Sequence, residues 1–230
     1  MSAQARTRAD SRLRLSSDRV LQAAVALADE GGIEALTMRR LAEKLSAAPM
    51  SLYYHVANQE ALLDGIADLI LREIIAATER IDASSGEWRT IVRQRILAAR
   101  EILLRHPWAP ALIQSRTDAT PSSIRYFDSL IGLLLGAGFS VDLTHHALHA
   151  LGSRALGFTQ ELYDDSEPLD DEALQSLIEQ IGDEYPNVAA MVKGVSHEAD
   201  TTLGFCDDQF EFEFGLDIIL DGLERLRQSA

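Results

Sequence analysis

The 230-residue sequence has a single cysteine, Cys206, which excludes an internal disulfide framework and fits a reducing compartment. It lacks an apolar run of about 18 residues, so no membrane-spanning helix is expected. The arginines near its start are followed by no apolar core, which excludes a signal peptide. Only six prolines and fourteen glycines interrupt a sequence rich in leucine and alanine. We therefore expect a helical cytoplasmic protein.

Positive charge is scarce and unevenly placed. The formal net charge is −15, which by itself argues against a nucleic-acid partner. However, residues 1–60 hold eight Lys/Arg and seven Asp/Glu, whereas residues 61–230 hold thirteen and twenty-nine. The first nineteen residues alone carry five arginines. This contrast predicts two parts with different partners.

Helical periodicity and capping residues predict an all-α fold. Ser16 or Ser17, Thr37 and Asn58 are placed as N-caps, and Pro49 can open a helix because its missing N–H costs nothing there. The only strand-like alternation, FEFEF, is better interpreted as helix from its flanks. We expect a flexible basic arm over residues 1–15, a small helical head over residues 16–60, and a larger helical domain over residues 61–230.

Two short helices joined by a tight turn are predicted in the stretch LTMRRLAEKLSAAPMSLYYHV, which is typical of a helix-turn-helix. The leucines at 41, 45 and 52 and the valine at 56 are predicted to face the core. Met50, Ser51, Tyr53, Tyr54 and His55 then point elsewhere, and their chemistry suits phosphates, base edges and thymine methyls. Arg39 and Arg40 are cationic candidates. The alternative is that the two tyrosines only fill the junction with the next helix.

The segment GGIEALTMRRLAEKLSAAPMSLYYHVANQEALLDGI resembles the DNA-binding domain of the TetR family of transcriptional repressors. The resemblance implies that Tyr53 contacts a phosphate and that His55 lies near the DNA backbone. The sequence departs from the family pattern at Ser46, Pro49 and Gln59, where a turn glycine, a glutamine or valine, and a lysine are usual. The arginine-rich arm, Arg6 to Arg14, is expected to enter the minor groove. The candidate DNA-contacting residues are Thr37, Arg39, Arg40, Pro49, Met50, Ser51, Tyr53, Tyr54 and His55.

The remaining chain resembles the tetracycline-repressor-like C-terminal domain, in GFSVDLTHHALHALGSRALGF and FEFGLDIILDGLERL. The resemblance implies that these two helices form a four-helix bundle with a second copy. Apolar residues on an otherwise acidic last helix are consistent with such an interface. The interface candidates are Gly152, Ala155, Phe210, Phe214, Ile218 and Leu223.

The same resemblance implies an effector pocket. Its candidates, carried over by position, are Arg95, Ile113, Arg116, Phe127, Leu130, Ile131, His145, Leu148 and His149. The magnesium-binding histidine of tetracycline repressors corresponds to Ile113, so Mg–tetracycline is not the expected effector. Arg95 or Arg116 could pair with an anionic or carbonyl-bearing ligand. Alternatively, both arginines are surface residues that neutralise an acidic domain.

The sequence contains partial signals for a metal site and for an enzyme. His145 and His149 have the i,i+4 spacing of a metal-ligand pair, but no third ligand has diagnostic spacing. Ser153 near His149 lacks a nucleophile elbow, and the acidic neighbours of Cys206 disfavour a thiolate. We therefore expect no enzyme, metal or cofactor.

The expected function is a homodimeric repressor that an unidentified small molecule releases from a palindromic DNA operator. The alternative is a ligand-independent regulator.

Overall fold

The computed structural model describes residues 15–82, 86–116, 119–157, 176, 179, 184–194 and 208–229. Every regular element in these ranges is a helix, so the all-α prediction is confirmed. Within these ranges, no helix combines the length and the apolarity needed to cross a bilayer. The predicted basic arm up to residue 14 and Cys206 lie outside the described residues.

The α-helices of the described ranges are numbered here in chain order. They are α1 Ser17–Gly31, α2 Met38–Lys44, α3 Pro49–Leu52, α4 Gln59–Thr78, α5 Trp88–Arg105, α6 Ala109–Ser115, α7 Pro121–Gly136, α8 Val141–Gly157, α9 Pro186–Gly194 and α10 Asp208–Ser229. A 3₁₀ turn, Ile33–Ala35, separates α1 from α2.

Capping explains where several of these helices begin. The side chain of Ser16 accepts from the N–H of Arg19, that of Thr37 from Arg40, and that of Asn58 from Ala61. Each such bond satisfies an amide that the helix itself leaves unpaired, and typically stabilises by about 1 kcal/mol. The predicted caps at Thr37 and Asn58 are confirmed, and Ser16 rather than Ser17 caps α1.

The chain divides into two compact units, residues 1–145 and residues 146–230. In the first unit α4 is the central helix, and it packs against α1, α5, α6 and α7. Its residues Leu62, Ile66 and Ile70 are fully buried, because they recur every four positions along one side. One helix therefore runs from the predicted DNA-binding segment into the part of this unit that carries the candidate effector residues.

In the second unit, α10 is apolar on two faces. One face is buried and consists of Phe212, Leu216, Leu220 and Leu223. The other face is exposed and consists of Phe210, Phe214, Ile218 and Leu226. The predicted helical state of FEFEF is confirmed. The assignment of Leu223 to an intermolecular interface is wrong, because this side chain is buried in the core of the chain itself.

Arg154 of α8 is held against α10 inside the same unit. Its guanidinium donates to the backbone carbonyl of Glu211 and lies 5.0 Å from the centre of the Phe212 ring. A Cβ on Gly215 would come within 2.7 Å of that guanidinium. By contrast, a Cβ on Gly152 or Gly157 would meet nothing within 4 Å. The close approach of Arg154 to α10 therefore depends on Gly215, and not on the small residues of α8.

Candidate nucleic-acid interface and effector cleft

The turn between α2 and α3 contains a residue in the left-handed region. Ser46 has φ of +51°, and its N–H donates to the carbonyl of Glu43 at 3.1 Å. An L-residue in this conformation costs roughly 1–2 kcal/mol relative to the right-handed region. The serine expected at the position of the usual glycine is thus accommodated by a strained backbone, and the turn is retained.

Buried leucines fix α3 against the rest of the head. Leu41 and Leu52 are fully buried and Val56 is nearly so. The N–H groups of His55 and Val56 both donate to the carbonyl of Leu52, at 2.8 and 2.9 Å. Helix α3 itself ends at Leu52, and Tyr53, Tyr54 and His55 form the hydrogen-bonded turn that follows it.

Large side chains of α3 and of the turn that follows it project into solvent. Met50 is 73% exposed, Tyr53 45% and Tyr54 89%. Tyr54 therefore does not fill the junction with α4. Ser51 is half-buried and its hydroxyl donates to the carbonyl of Ala48 at 2.6 Å, which supports the start of α3. The structure thus brings three of the predicted contact residues together on one exposed surface.

The cations near this surface are held only by weak contacts. Arg39 pairs with Glu43 at 3.1 Å, and both side chains are exposed. Arg40 donates to the carbonyl of Ala35 at 3.3 Å. Exposed ion pairs contribute at most about 1 kcal/mol, so a phosphate can displace such a carboxylate. Gln59, which replaces the usual lysine, donates instead to the backbone carbonyl of Leu36 at 3.4 Å.

A first polar link connects α1 to the end of α5. Asp29 Oδ1 accepts from the indole N–H of Trp108 at 2.7 Å and lies 2.8 Å from His106 Nδ1. Both aromatic residues are buried, and the other ring nitrogen of His106 is 3.8 Å from Glu73. Sequence reasoning missed this link. The available signal was the segment HPW, in which His106 and Trp108 flank Pro107. The polar ring groups of both side chains need hydrogen-bond partners when they are buried.

A second polar link connects the end of α6 to the first turns of α4. One guanidinium nitrogen of Arg116 donates to Glu60 at 2.9 Å and to Asp64 at 3.1 Å. The hydrogen bond to Glu60, and then that to Asp64, raise the pKa of Arg116 above its ordinary value, so it remains a cation. Two carboxylates therefore already engage the guanidinium of Arg116, and its assignment to the effector pocket stays a prediction.

A cleft lies between α4, α5 and α7 of the first unit. Its walls are Ile75, Thr78, Glu79, Arg95, Ile96, Arg125, Tyr126, Ser129 and Leu130. It occupies about 360 Å³ when the solvent at its mouth is included, whereas its interior measures about 10 Å³. That interior has room for one water molecule. Arg95 and Leu130 are the predicted effector residues that line it.

The remaining effector candidates do not form its walls. In the first unit, Ile113 and Ile131 are half-buried, whereas Phe127 and His145 are exposed. In the second unit, Leu148 is half-buried and His149 is exposed. No group of three His, Cys, Asp or Glu side chains that could hold a metal ion occurs in the part of the chain that the structure describes.

Two family comparisons cover most of the chain. Residues 20–66 match the bacterial regulatory proteins of the tetR family, and residues 82–227 match the tetracyclin repressor-like C-terminal domain. The chain belongs to the TetR family. The structure and the comparisons therefore agree on a helix-turn-helix transcriptional regulator.

Individual TetR-family relatives are similar at modest identity. The chain is 30% identical to the HTH-type transcriptional repressor DrrR1 of Streptomyces coeruleorubidus, covering 92% of this chain and 78% of that protein. It is 36% identical over 126 residues to an HTH-type transcriptional regulator of Saccharopolyspora erythraea; this match covers 54% of this chain and about half, 51%, of that relative. Among solved structures, ActR of Streptomyces coelicolor in complex with (S)-DNPA superimposes with a TM-score of 0.68 at 25% identity, covering 91% and 97% of the two chains.

Proposed function

We propose that this TetR-family chain is a homodimeric repressor whose two heads bind a palindromic DNA operator and release it when a small molecule binds. The observation that carries the proposal is the exposed surface of Met50, Tyr53 and Tyr54 beside a helix pinned by buried Leu41 and Leu52. Three large exposed side chains on one short segment held in place by buried neighbours form a surface that suits a partner. A major groove admits a helix of this kind and offers matching chemistry.

Each exposed group on the head has a suitable partner on DNA. The tyrosine hydroxyls can donate to phosphate oxygens, and the thioether of Met50 can contact a thymine methyl. Arg39 and Arg40 stand in the first turn of α2 and can neutralise phosphates. Thr37 and Pro49 position α2 and α3 as cap and first-turn residues. Few cations are present, so linking two half-sites is needed for useful affinity.

Helix α10 supports the dimer. A helix within one chain needs a single apolar face, yet α10 has a buried face and a second, exposed face. Phe210, Phe214 and Ile218 recur every four residues on the exposed face, and their rings and branches would be shielded by a second copy of the same face. Gly152 and Ala155 of α8 remain candidates for the same interface.

Helix α4 supplies the proposed route for effector release in the first unit. Helix α4 forms one wall of the cleft near its end, through Ile75 and Glu79, and holds Arg116 near its start, through Glu60 and Asp64. A molecule that widens the cleft must move the end of α4 relative to α5 and α7. Since α4 also packs against α1 of the head, this movement changes the placement of the head and the spacing of two half-site contacts.

Selection of DNA from a random-sequence pool at physiological salt tests the proposal. Purified protein should enrich a palindrome with two half-sites. Tyr54→Ala should then weaken binding to that site at least tenfold, consistent with losing about 1–3 kcal/mol of contact. Tyr185→Ala is the control, since Tyr185 is also an exposed tyrosine but lies outside the head. A pool without enrichment, or equal losses in both variants, would contradict the assignment.

A ligand-independent regulator is the second candidate. The observation that favours it is the cleft interior of only about 10 Å³, which excludes any organic effector unless the cleft opens. A reporter controlled by the selected operator distinguishes the two candidates. Effector-controlled repression should be relieved by particular small molecules, whereas the second candidate predicts repression that follows only the amount of protein.

A further inference from the structure

We propose that the cleft between α4, α5 and α7 takes an organic acid, whose carboxylate binds Arg95 and whose aromatic body lies at the cleft mouth. The inference rests on the effector role proposed above for this cleft, and adds the chemical class of the molecule.

Arg95 carries a charge that the protein does not neutralise locally. Its Nη1 donates to the hydroxyl of Ser129 at 3.1 Å, while its Nε is buried without a hydrogen-bond partner. Among the described residues it forms no ion pair with a carboxylate. A guanidinium offers five donors in a fixed fork that matches a carboxylate. An unmatched cation with an unused donor beside a cavity is therefore suited to an anion.

The other charged groups of the cleft do not fill this role. Glu79 is engaged by Arg125, which donates to the same carboxylate oxygen from two nitrogens at 2.7 and 3.0 Å. Arg116 is held by its own two carboxylates at the far end of α4. Among the arginines that line the cleft, Arg95 thus remains available to bind an anionic ligand, whereas the charge of Arg125 is balanced by Glu79.

The surroundings of Arg95 are rich in donors. Burial raises the pKa of Tyr126 above its ordinary value, an effect that the charge of Arg95 reduces. Tyr126 therefore remains a neutral phenol at physiological pH. The hydroxyl of Ser129 accepts from Arg95 and keeps its own proton to donate. A ligand oxygen that only accepts, such as a carboxylate oxygen, fits these donors better than an amine or amide N–H.

The size and walls of the cleft limit the shape of the ligand beyond its carboxylate. The interior of about 10 Å³ accommodates one oxygen atom in place of a water molecule. Ile75, Ile96 and Leu130 supply apolar walls. The ring of Tyr126 lines the cleft and meets the half-exposed ring of Phe127 edge-on at 5.7 Å between centroids, so an aromatic surface continues from the cleft wall for a planar ligand body.

Matched pairs of aromatic acids and their amides test the proposal without knowledge of the natural effector. Salicylate, 1-naphthoate and 1-hydroxy-2-naphthoate would be titrated by calorimetry against the full chain, each beside its neutral amide. At least one acid should bind, and its amide at least tenfold more weakly. Arg95→Gln should weaken binding of the acid about 10- to 100-fold, the range for losing a charge-assisted hydrogen bond in a partly buried site.

Arg72→Gln is the matched control. Arg72 also lies on a helix of the first unit and pairs with Asp68, so the variant changes the net charge equally but leaves the cleft intact. Its affinity for the acids should equal that of the wild type. Should Arg95→Gln fail to fold, Arg95→Lys and the acid–amide comparison in the wild type decide the question.

Three results would overturn the inference: no acid binds at millimolar concentration, the amides bind as tightly as the acids, or Arg95→Gln retains wild-type affinity. Operator binding is followed separately. An acid that binds through Arg95 and leaves the operator complex intact supports the anion site and contradicts effector release. A neutral compound that releases the operator, without binding of any acid, supports effector release and overturns the anion class.

Discussion

The link from Asp29 to Trp108 and His106 permits a quantitative test of how α1 is held. Asp29→Ala removes the acceptor of the Trp108 N–H, a hydrogen bond to a charged group whose net contribution is about 1.5–3 kcal/mol. It also removes the partner of His106 Nδ1. Because 31% of the Asp29 side chain is exposed, water replaces part of what is lost. We expect a loss of about 2 kcal/mol in the free energy of unfolding.

A double-mutant cycle isolates the contact. Trp108→Phe keeps an aromatic ring and removes the donor, so it should cost about 1–2 kcal/mol. The double variant should be less destabilised than the sum of the two, with a coupling energy of about 1 kcal/mol. The assay is urea unfolding at one protein concentration. It is followed by far-UV circular dichroism, because Trp108 is one of only two tryptophans and its replacement would change a fluorescence signal.

Glu30→Ala is the control. Glu30 is adjacent to Asp29 on α1 and pairs with Lys44, but 61% of its side chain is exposed, so its loss should cost no more than about 1 kcal/mol. Equal effects of Asp29→Ala and Glu30→Ala, or strict additivity of the Asp29 and Trp108 substitutions, would refute the reasoning.

Three further substitutions have defined expectations. Ser46→Gly should stabilise the chain by about 0.5–1 kcal/mol in urea unfolding, because relief of a positive φ outweighs the entropy of glycine; a loss of stability would show that the serine is unstrained. Tyr126→Phe should abolish part of the decline in stability above about pH 10, and identical pH profiles of the two proteins would contradict this. The reason is that the pKa of Tyr126 is raised on folding, so its contribution to stability is complete below the unfolded-state pKa and is lost as pH rises through the folded-state pKa. Gly215→Ala should destabilise the chain by about 1 kcal/mol, because the new Cβ displaces the guanidinium of Arg154. Gly132→Ala should stabilise it by a similar amount, because a Cβ there meets nothing within 4 Å, and thermal unfolding of the two variants checks both directions.

Local features of the fold could be predicted from the sequence. The caps at Thr37 and Asn58 and the helix start at Pro49 depend on hydrogen bonds within four residues, which the sequence displays directly. The buried positions Leu41 and Leu52 follow from helical spacing. These features involve each residue's own neighbours, and this is why the predictions agree with the structure.

Contacts between distant segments could not be predicted in the same way. Arg116 meets Glu60 and Asp64 across more than fifty residues, and Asp29 meets His106 across seventy-seven. Nothing in the spacing of charges along a helix indicates which remote carboxylate an arginine reaches. The family pattern could place Arg116 near a pocket, but its two ion pairs depend on how α6 crosses α4.

The two-faced helix α10 illustrates a different limit. Periodicity shows that α10 has apolar residues at Phe210, Phe214 and Leu223, but it does not distinguish a face that packs inside the chain from one that packs outside it. Both faces obey the same spacing. Only the position of α10 against its own unit separates Leu223 from the two phenylalanines.

The exposed face of α10 has a genetic consequence in the proposed dimer. Pairing through Phe210, Phe214 and Ile218 requires no residue of the head, so a chain with a defective head still pairs with an intact one. In a cell that makes both in equal amounts, random pairing leaves only one dimer in four with two working heads. Mutations such as Tyr54→Ala should therefore be dominant over the wild-type allele, and a second mutation that places a charge at Phe214 should make them recessive.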